Sequence, residues 1–299
     1  MISGVSGSFY EYAPRLMAFE FNNFKSKNVI IFIGGLGDGF LTVPYLPKLA
    51  DELNSIGWSL IQIGLTSSNI GWGTGSLTRD SSEINQLIGF LKKDDGDSKL
   101  NGLTRENIVL MGHSTGCQNS LHFISKSGFG EKISGLILQA SVCDREAMTL
   151  QFGSFEKIDE TVNFAKSLIA KGEANEIMPR KYCELFFGVP INASRWASLS
   201  SERGDDDFFG SYLTLEDHKK TFGKVNKPLL VLFSGSDEYV PEFINKEKLV
   251  DGFKEATDPK YWSPYSKIVD GALHNIGPGS KETSVPIMLE SVSSFIKSL

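Results

Sequence analysis

Residues 112–116 read GHSTG, a serine with a glycine two positions away on either side. The short apolar run 108–111 precedes this pentapeptide, and the helix-compatible segment 117–126 follows it. The order of strand, G-x-S-x-G and helix is typical of a nucleophile elbow, in which a strained turn projects the serine hydroxyl from the edge of a sheet. The two glycines allow strand and helix to pack closely around that turn. The pentapeptide therefore predicts Ser114 as a nucleophile.

Short apolar runs alternate with longer amphipathic ones on both sides of the pentapeptide. Buried-strand patterns occupy residues 16–21, 28–33, 60–65, 108–111, 133–139, 228–234 and 266–269. Helical patterns with one apolar face occupy residues 44–56, 77–93 and 285–298. This order predicts an α/β fold of the α/β-hydrolase type, with helices on both faces of a mostly parallel sheet.

One long segment without a clear strand pattern interrupts this alternation. It extends from about residue 145 to residue 225, is helix-prone at 158–170 and reads as irregular at 178–212. We therefore predict an α/β-hydrolase core formed by residues 1–144 and 226–299, with residues 145–225 inserted as a helical lid. The polar stretch 92–102 predicts a solvated loop.

Composition limits the classes of partner and compartment. The 299-residue chain has a net charge of −6, and no basic stretch offers a track for phosphates, which argues against a nucleic-acid partner. No apolar run reaches the ~18 residues of a membrane span, and residues 1–20 lack the pattern of a secretory signal. The three scattered cysteines predict free thiols in a reducing compartment. We expect a cytoplasmic protein with no membrane partner.

A nucleophilic serine needs a base, and the base needs an acid that orients it. In α/β-hydrolase sheets the acid and then the histidine follow the serine along the chain. Asp237 comes just after the strand pattern 228–234, and His274 lies in a loop after 266–269. We predict Asp237 as the acid and His274 as the base, with Glu238 as the alternative acid. The alternatives are an ordinary turn residue at 237 and a loop histidine at 274 that satisfies backbone groups.

The three other histidines suit the role of base less well. His113 adjoins the serine and should face away from it, whereas His122 lies two helical turns beyond. His218 falls in the predicted lid, where a surface position is the simplest interpretation. No grouping of histidines and carboxylates has the spacing of a metal site.

A glycine-rich loop follows the strand pattern 28–33 and reads GGLGDG at residues 34–39. An oxyanion hole needs two backbone N–H groups. We predict that Thr115 supplies one of them and Leu36 the other. Gly35 permits the main chain to approach a bound substrate closely. A phosphate-cradling loop is the competing interpretation, but neither G-x-G-x-x-G nor Gly-Lys-Ser/Thr is present.

Two further segments contain candidate substrate contacts. Trp72 lies in the Gly/Ser-rich stretch 67–75 and would form an apolar wall of the pocket, unless this stretch is a plain loop. Asp206 and Phe208 belong to DDDFF at 205–209. This charged run predicts a solvated face, a contact with a cationic substrate, or a hinge of the lid.

These motifs resemble those of a little-characterised α/β-hydrolase family of fungi, plants and protists, which includes intracellular siderophore ester hydrolases of filamentous fungi. The resemblance rests on loop 34–39, on residues 67–68, 71–73 and 76–77, on 112–116, and on GDDDFF at 204–209. It implies a serine-hydrolase fold with a Ser-Asp-His triad, and it suggests an ester of a hydroxamate siderophore as the substrate. Gly34 stands where the common His-Gly oxyanion pattern has histidine.

The sequence as a whole predicts a serine esterase that acts on a small-molecule ester through an acyl-enzyme. The chemistry requires neither a cofactor nor a metal ion. Two alternatives remain open. One is a non-catalytic α/β-hydrolase scaffold that binds a small ligand or a partner. The other is a thioesterase or amidase that uses the same triad.

Overall fold

A computed structural model describes residues 4–93 and 103–299, so most of the predicted loop 92–102 lies outside the described residues. Within the described residues, eight strands form one sheet in the order β1-β2-β4-β3-β5-β6-β7-β8. Strands β3 to β8 run parallel, whereas β1 pairs antiparallel with β2 and β2 antiparallel with β4. The strands are β1 Gly7–Ala13, β2 Leu16–Phe21, β3 Asn28–Ile33, β4 Trp58–Ile63, β5 Asn107–His113, β6 Gly135–Gln139, β7 Leu229–Ser234 and β8 Lys267–Val269.

Helices cover both faces of this sheet. They are α1 Leu46–Ser55, α2 Leu77–Lys92, α3 Thr115–Ser125, α4 Asp144–Phe152, α5 Phe155–Ala170, α6 Arg180–Leu185, α7 Ala193–Ser200, α8 Leu215–Lys219, α9 Lys246–Ala256 and α10 Ser284–Lys297. The helices α2, α3 and α9 contribute to the hydrophobic core on one face, and α1 and α10 to the core on the other. Because helices shield both faces, the central strands β4, β6 and β7 are buried along their whole length. The predicted α/β architecture is confirmed.

The helices α4 to α8 all lie between β6 and β7, where the sequence predicts an inserted lid. The helices α4, α5, α6 and α7 share a separate small core, to which Trp72 also contributes. The region 178–212, which we predict to be irregular, contains α6 and α7. The division of the chain at residues 145 and 225 stays a prediction.

The strand β1 has no counterpart in the sequence prediction. It forms a hairpin with β2 at the edge of the sheet, and its residues alternate between exposed and buried positions. Such an edge strand needs only one apolar face, so it lacks the continuous apolar run that indicates a buried strand.

Candidate active site

The turn between β5 and α3 has the backbone geometry expected of a nucleophile elbow. Ser114 lies at φ +55° and ψ −126°, a conformation that non-glycine residues rarely adopt. The chain is tightly packed around it, because a Cβ added to Gly112 would lie 2.2 Å from the Gly116 carbonyl oxygen. A Cβ on Gly116 would lie 2.1 Å from the Ile33 carbonyl oxygen on β3. The two glycines are therefore required for the strand and the helix to meet at this turn.

The side chains of His274 and Asp237 form a hydrogen-bonded pair at the same edge of the sheet. Asp237 follows β7, His274 lies in the loop after β8, and Nδ1 of the imidazole is 2.7 Å from Oδ2 of the carboxylate. With Nδ1–H donating to the carboxylate, Nε2 is left as the proton acceptor. Glu238 Oε2 accepts the backbone N–H of His274 at 2.9 Å. One carboxylate thus orients the ring, and the next one fixes its main chain.

Ser114 and His274 line one cavity of about 400 Å³. The carboxyl ends of the parallel strands bring them together, because β5 leads into Ser114 and β8 leads towards His274. Among the hydrogen bonds of the described residues, none joins the Ser114 hydroxyl to the imidazole. In enzymes that use a serine and a histidine, this hydrogen bond is often long without substrate and shortens when substrate binds.

His113, which we predict to face away from the serine, also borders this cavity. Its ring centroid is 4.9 Å from that of His274, and its Nδ1 is 2.6 Å from Gln139 Oε1. The reason is that β5 ends at His113, so its side chain lies at the sheet edge with the other site residues. Burial lowers the pKa of His113 from 6.5 to about 4, and the ring is neutral near pH 7.

Gln139, at the end of β6, is a site residue that the sequence analysis missed. Its Oε1 accepts a hydrogen bond from the Tyr45 hydroxyl, and its Nε2 donates to the carbonyl oxygen of His274 at 3.1 Å. Its backbone carbonyl accepts the N–H of Ser114 at 3.0 Å. Gln139 thus connects both sides of the site. The one available indication was a polar residue that closes an otherwise apolar strand pattern.

The glycine-rich loop after β3 lies directly against Ser114. A Cβ on Gly35 would be 2.6 Å from Ser114 Cβ. Asp38 folds the loop back, because its Oδ2 accepts the Gly35 N–H at 2.7 Å and its Oδ1 accepts the Thr42 hydroxyl at 2.8 Å. Within the described parts of the chain, the N–H groups of Leu36 and Thr115 donate to no protein acceptor. Neither backbone donor is therefore used within the described parts of the chain.

The wall of the cavity opposite the sheet comes mainly from the segment between β6 and β7. Its apolar lining on that side is Val142, Ala147, Leu150, Leu185, Phe186 and Phe187. Four carboxylates also line the cavity, namely those of Asp38, Asp144, Glu184 and Glu238. No lysine or arginine of the described residues lines it. Burial is the main factor that raises the pKa of Asp144, to about 7. This charge distribution disfavours an anionic group in the substrate.

Trp72 lies behind the cavity wall instead of forming it. Its indole is buried and packs edge-on against Phe186 and Phe187, with ring centroids 5.7 Å and 6.2 Å apart. Both phenylalanines line the cavity. We predict a direct contact between Trp72 and substrate, but in the structure Trp72 packs behind Phe186 and Phe187, which line the cavity in its place.

Asp206 and Phe208 are both buried and do not line the cavity, which corrects the substrate contacts predicted there. Asp206 Oδ2 is 2.6 Å from Nη1 of Arg195 and accepts the Ser198 hydroxyl at 2.5 Å. Phe208 belongs to the hydrophobic core, and the Lys126 ammonium lies 4.7 Å from its ring centroid. The charged run is neither a solvated face nor a substrate contact at these positions, because Arg195 on α7 supplies a buried partner for the carboxylate.

The remaining histidines lie outside the cavity. His122 Nδ1 is 2.7 Å from the Ser81 hydroxyl, which gives this buried ring a structural partner. His218 is buried and not at the surface as predicted, because its ring packs edge-on against Phe222 and Phe253.

The part of the chain that the structure describes contains no group of three or more metal-ligating side chains in the arrangement of a metal site. In the same residues, each helix is too short or too polar to cross a bilayer.

The chain is similar in sequence to one protein family and to several known proteins, and similar in structure to solved hydrolases. Residues 1–297 match a family described as proteins of unknown function, DUF1749. The chain is 38% identical over 311 residues to a UPF0613 protein of Schizosaccharomyces pombe, with 98% of this chain and 97% of the relative covered. It is 30% identical to the fusarinine C esterase of Aspergillus fumigatus, with 99% and 97% covered. The solved siderophore hydrolase EstB from Aspergillus fumigatus superposes with a TM-score of 0.84 at 30% identity, over 99% of this chain and 98% of that one.

Proposed function

The chain belongs to the DUF1749 family within the α/β-hydrolase fold, and from this premise we propose that it is a serine esterase. Ser114 is the nucleophile, His274 the general base and Asp237 the acid that orients the base. The observation that carries this proposal is the 2.7 Å bond between His274 and Asp237 at the edge of the cavity that Ser114 lines. Ester hydrolysis is further supported by the relatives, which include an esterase and a siderophore hydrolase.

In the proposed reaction, Nε2 of His274 takes the hydroxyl proton of Ser114 as its oxygen attacks the ester carbonyl carbon. The protonated imidazole then gives that proton to the leaving alcohol, and an acyl-enzyme forms. Water, deprotonated by the same imidazole, attacks the acyl carbon and releases the acid. Asp237 holds the proton-bearing Nδ1 and stabilises the positive ring during both steps.

The negative oxygen of the tetrahedral intermediate needs donors fixed in advance. We assign this role to the backbone N–H groups of Leu36 and Thr115, which have no acceptor in the described residues. Gly35 supports the assignment, because its bare Cα allows the loop to approach Ser114. The N-terminus of α3, at Thr115, adds a favourable helix dipole at the same point.

The proposed substrate is a carboxylic ester of a hydroxamate siderophore. The support for this class is the named activity of the relatives, together with a cavity of about 400 Å³ that is large enough for more than a simple short-chain ester. The segment 145–225 is proposed to act as a lid, since α4, the end of α6 and the loop after it form one wall of that cavity. The three buried, unpaired cysteines support a reducing compartment such as the cytoplasm.

Fluorophosphonate labelling tests the nucleophile. The wild-type protein should take up one label, mapped by mass spectrometry to Ser114, and Ser114→Ala should take up none. Ser236→Ala removes an exposed hydroxyl close to Asp237 and should label like the wild type. Label on Ser114→Ala equal to that on the wild type, or an unlabelled wild type, contradicts the proposal.

A substrate panel then separates the reaction classes. Ferric and iron-free hydroxamate siderophore esters are incubated beside simple aliphatic esters, thioesters and amides, and the products are identified by mass spectrometry. Cleavage of simple esters alone removes the siderophore assignment and leaves the esterase. Ligand binding without turnover of any compound indicates a non-catalytic scaffold.

A further inference from the structure

A second, much smaller cavity lies beside the first, on the other side of the glycine-rich loop. Its volume is about 20 Å³, and a cavity of roughly 10–15 Å³ is enough to hold one water molecule. The lining comes from the loop 34–39, the end of β4, the segment 65–72, α2 through Asp80, α3 through Thr115 and Asn119, and α7 through Arg195. The space therefore has the size expected for one small polar molecule.

Two buried acceptors on α3 border this cavity and lack partners. Thr115 and Asn119 are more than nine-tenths buried. The Oγ1 atom of Thr115 and the Oδ1 atom of Asn119 have no hydrogen-bond partner among the described residues. Because they are four positions apart on a helix, they lie on the same face, one turn from each other. Buried polar atoms without a partner are costly, so both atoms call for a donor from the cavity.

Arg195 brings spare donors from the inserted segment. Its Nη1 bonds to Asp206 Oδ2 at 2.6 Å and its Nε to the Trp72 carbonyl oxygen at 3.2 Å. A guanidinium has five N–H groups, and these two bonds use two of them. The remaining N–H groups belong to a side chain that lines the cavity.

We infer that this cavity binds a single water molecule that joins Arg195 on α7 to Thr115 and Asn119 on α3. The water accepts a hydrogen bond from the guanidinium and donates to the two orphaned oxygens. A bridging water of this kind is nearly as good as a direct hydrogen bond, and a polar cavity with two to four partners retains it. Thr115 and Asn119 are thereby positioning residues.

The bridge has a consequence for catalysis, and this part rests on the proposed function. The residue that contacts the water through its hydroxyl, Thr115, also carries one of the two backbone donors assigned to the oxyanion. The water therefore couples the inserted segment to the first turn of α3. Loss of the bridge loosens the Thr115 N–H while leaving the substrate cavity itself intact.

A crystal structure at a resolution that shows ordered solvent tests the binding site. In the wild type we expect one solvent peak within hydrogen-bond distance of Arg195, Thr115 and Asn119. Thr115→Val keeps the shape of the side chain and removes its hydroxyl, and Asn119→Leu does the same for the amide. The peak should weaken or disappear in both variants and remain in Thr115→Ser. A wild-type cavity without this peak, or one that holds a solute instead, overturns the inference.

Steady-state kinetics test the coupling. Thr115→Val should lower kcat about tenfold, the equivalent of one hydrogen bond, with KM unchanged. Thr115→Ser, which keeps the hydroxyl, should restore kcat to near the wild-type value. A kcat of Thr115→Val equal to that of the wild type refutes the coupling. An inactive wild type refutes the esterase proposal instead, and the solvent peak still decides the water site.

Discussion

Replacing Gly35 by alanine should nearly abolish ester hydrolysis while leaving the protein folded. The new Cβ would lie 2.6 Å from Ser114 Cβ and 3.0 Å from its hydroxyl oxygen. Carbon atoms in ordinary contact are about 3.5–4.0 Å apart, so the loop or the serine has to shift by about 1 Å. A displacement of about 1 Å at a reacting group costs roughly 10² in rate. We therefore expect kcat/KM for Gly35→Ala to fall about 100-fold.

The assay measures hydrolysis of a chromogenic short-chain ester, and urea unfolding measures stability in parallel. Overpacking at this one contact should cost about 1–3 kcal/mol of unfolding free energy, which most folded domains tolerate. Gly89→Ala on α2 is the matched control, because its added Cβ would meet nothing within 4 Å beyond its chain neighbours and its own helix backbone. It should keep full activity and gain roughly 0.5–1 kcal/mol from helix propensity. A folded Gly35→Ala with kcat/KM within twofold of wild type refutes the reasoning.

Three further perturbations follow from the described contacts. Asp237→Asn should lower kcat by roughly 10³–10⁴, because it reverses the tautomer preference of the His274 imidazole. Glu238→Gln changes the neighbouring carboxylate, which accepts only the backbone N–H of His274, and should lower kcat far less. Single-turnover kinetics of both variants measure this difference. Burial lowers the pKa of His113 from 6.5 to about 4, so between these pH values His113 is protonated in the unfolded chain and neutral in the folded one. Stability should therefore fall by about 3 kcal/mol as the pH drops from 6.5 towards 4, and urea unfolding at pH 7 and pH 4.5 should show a smaller loss for His113→Asn. Arg195→Met leaves the buried Asp206 carboxylate without its partner and should lower the free energy of unfolding, measured in urea, by about 3–5 kcal/mol. Arg180→Met breaks the exposed pair with Glu184 and should lower it by less than about 1 kcal/mol. Equal losses in the two variants would contradict this account.

The parallel part of the sheet was predictable because its strands are buried on both faces and read as continuous apolar runs. The position of Ser114 followed from the same logic, since a glycine-flanked serine between a strand and a helix has few other interpretations. The edge strand β1 was not predictable in this way, because only alternate residues are buried. The short helices α6 and α7 escaped notice because their apolar residues pack into a local core, which no single periodic stripe reveals.

The errors at the site have a common physical origin in long-range partners. Asp206 read as part of a solvated charged run because nothing in the sequence shows that Arg195 enters the same buried space. The place of His113 beside Gln139 and His274 depends on how two strands end, and no local pattern shows it. Pairings between distant residues decide such cases, and a single sequence does not display them.

The order of the site residues along the chain, which the inserted helices separate, determines when these residues can meet during synthesis. The strand and turn that carry Ser114 leave the ribosome early, whereas the loop that carries His274 follows the last strand, β8. Synthesis proceeds from the N-terminus, and a domain generally folds as a unit. In the proposed triad, Ser114 therefore has no base until the loop with His274 has been synthesised, so the length of the chain sets the earliest moment at which the site is complete.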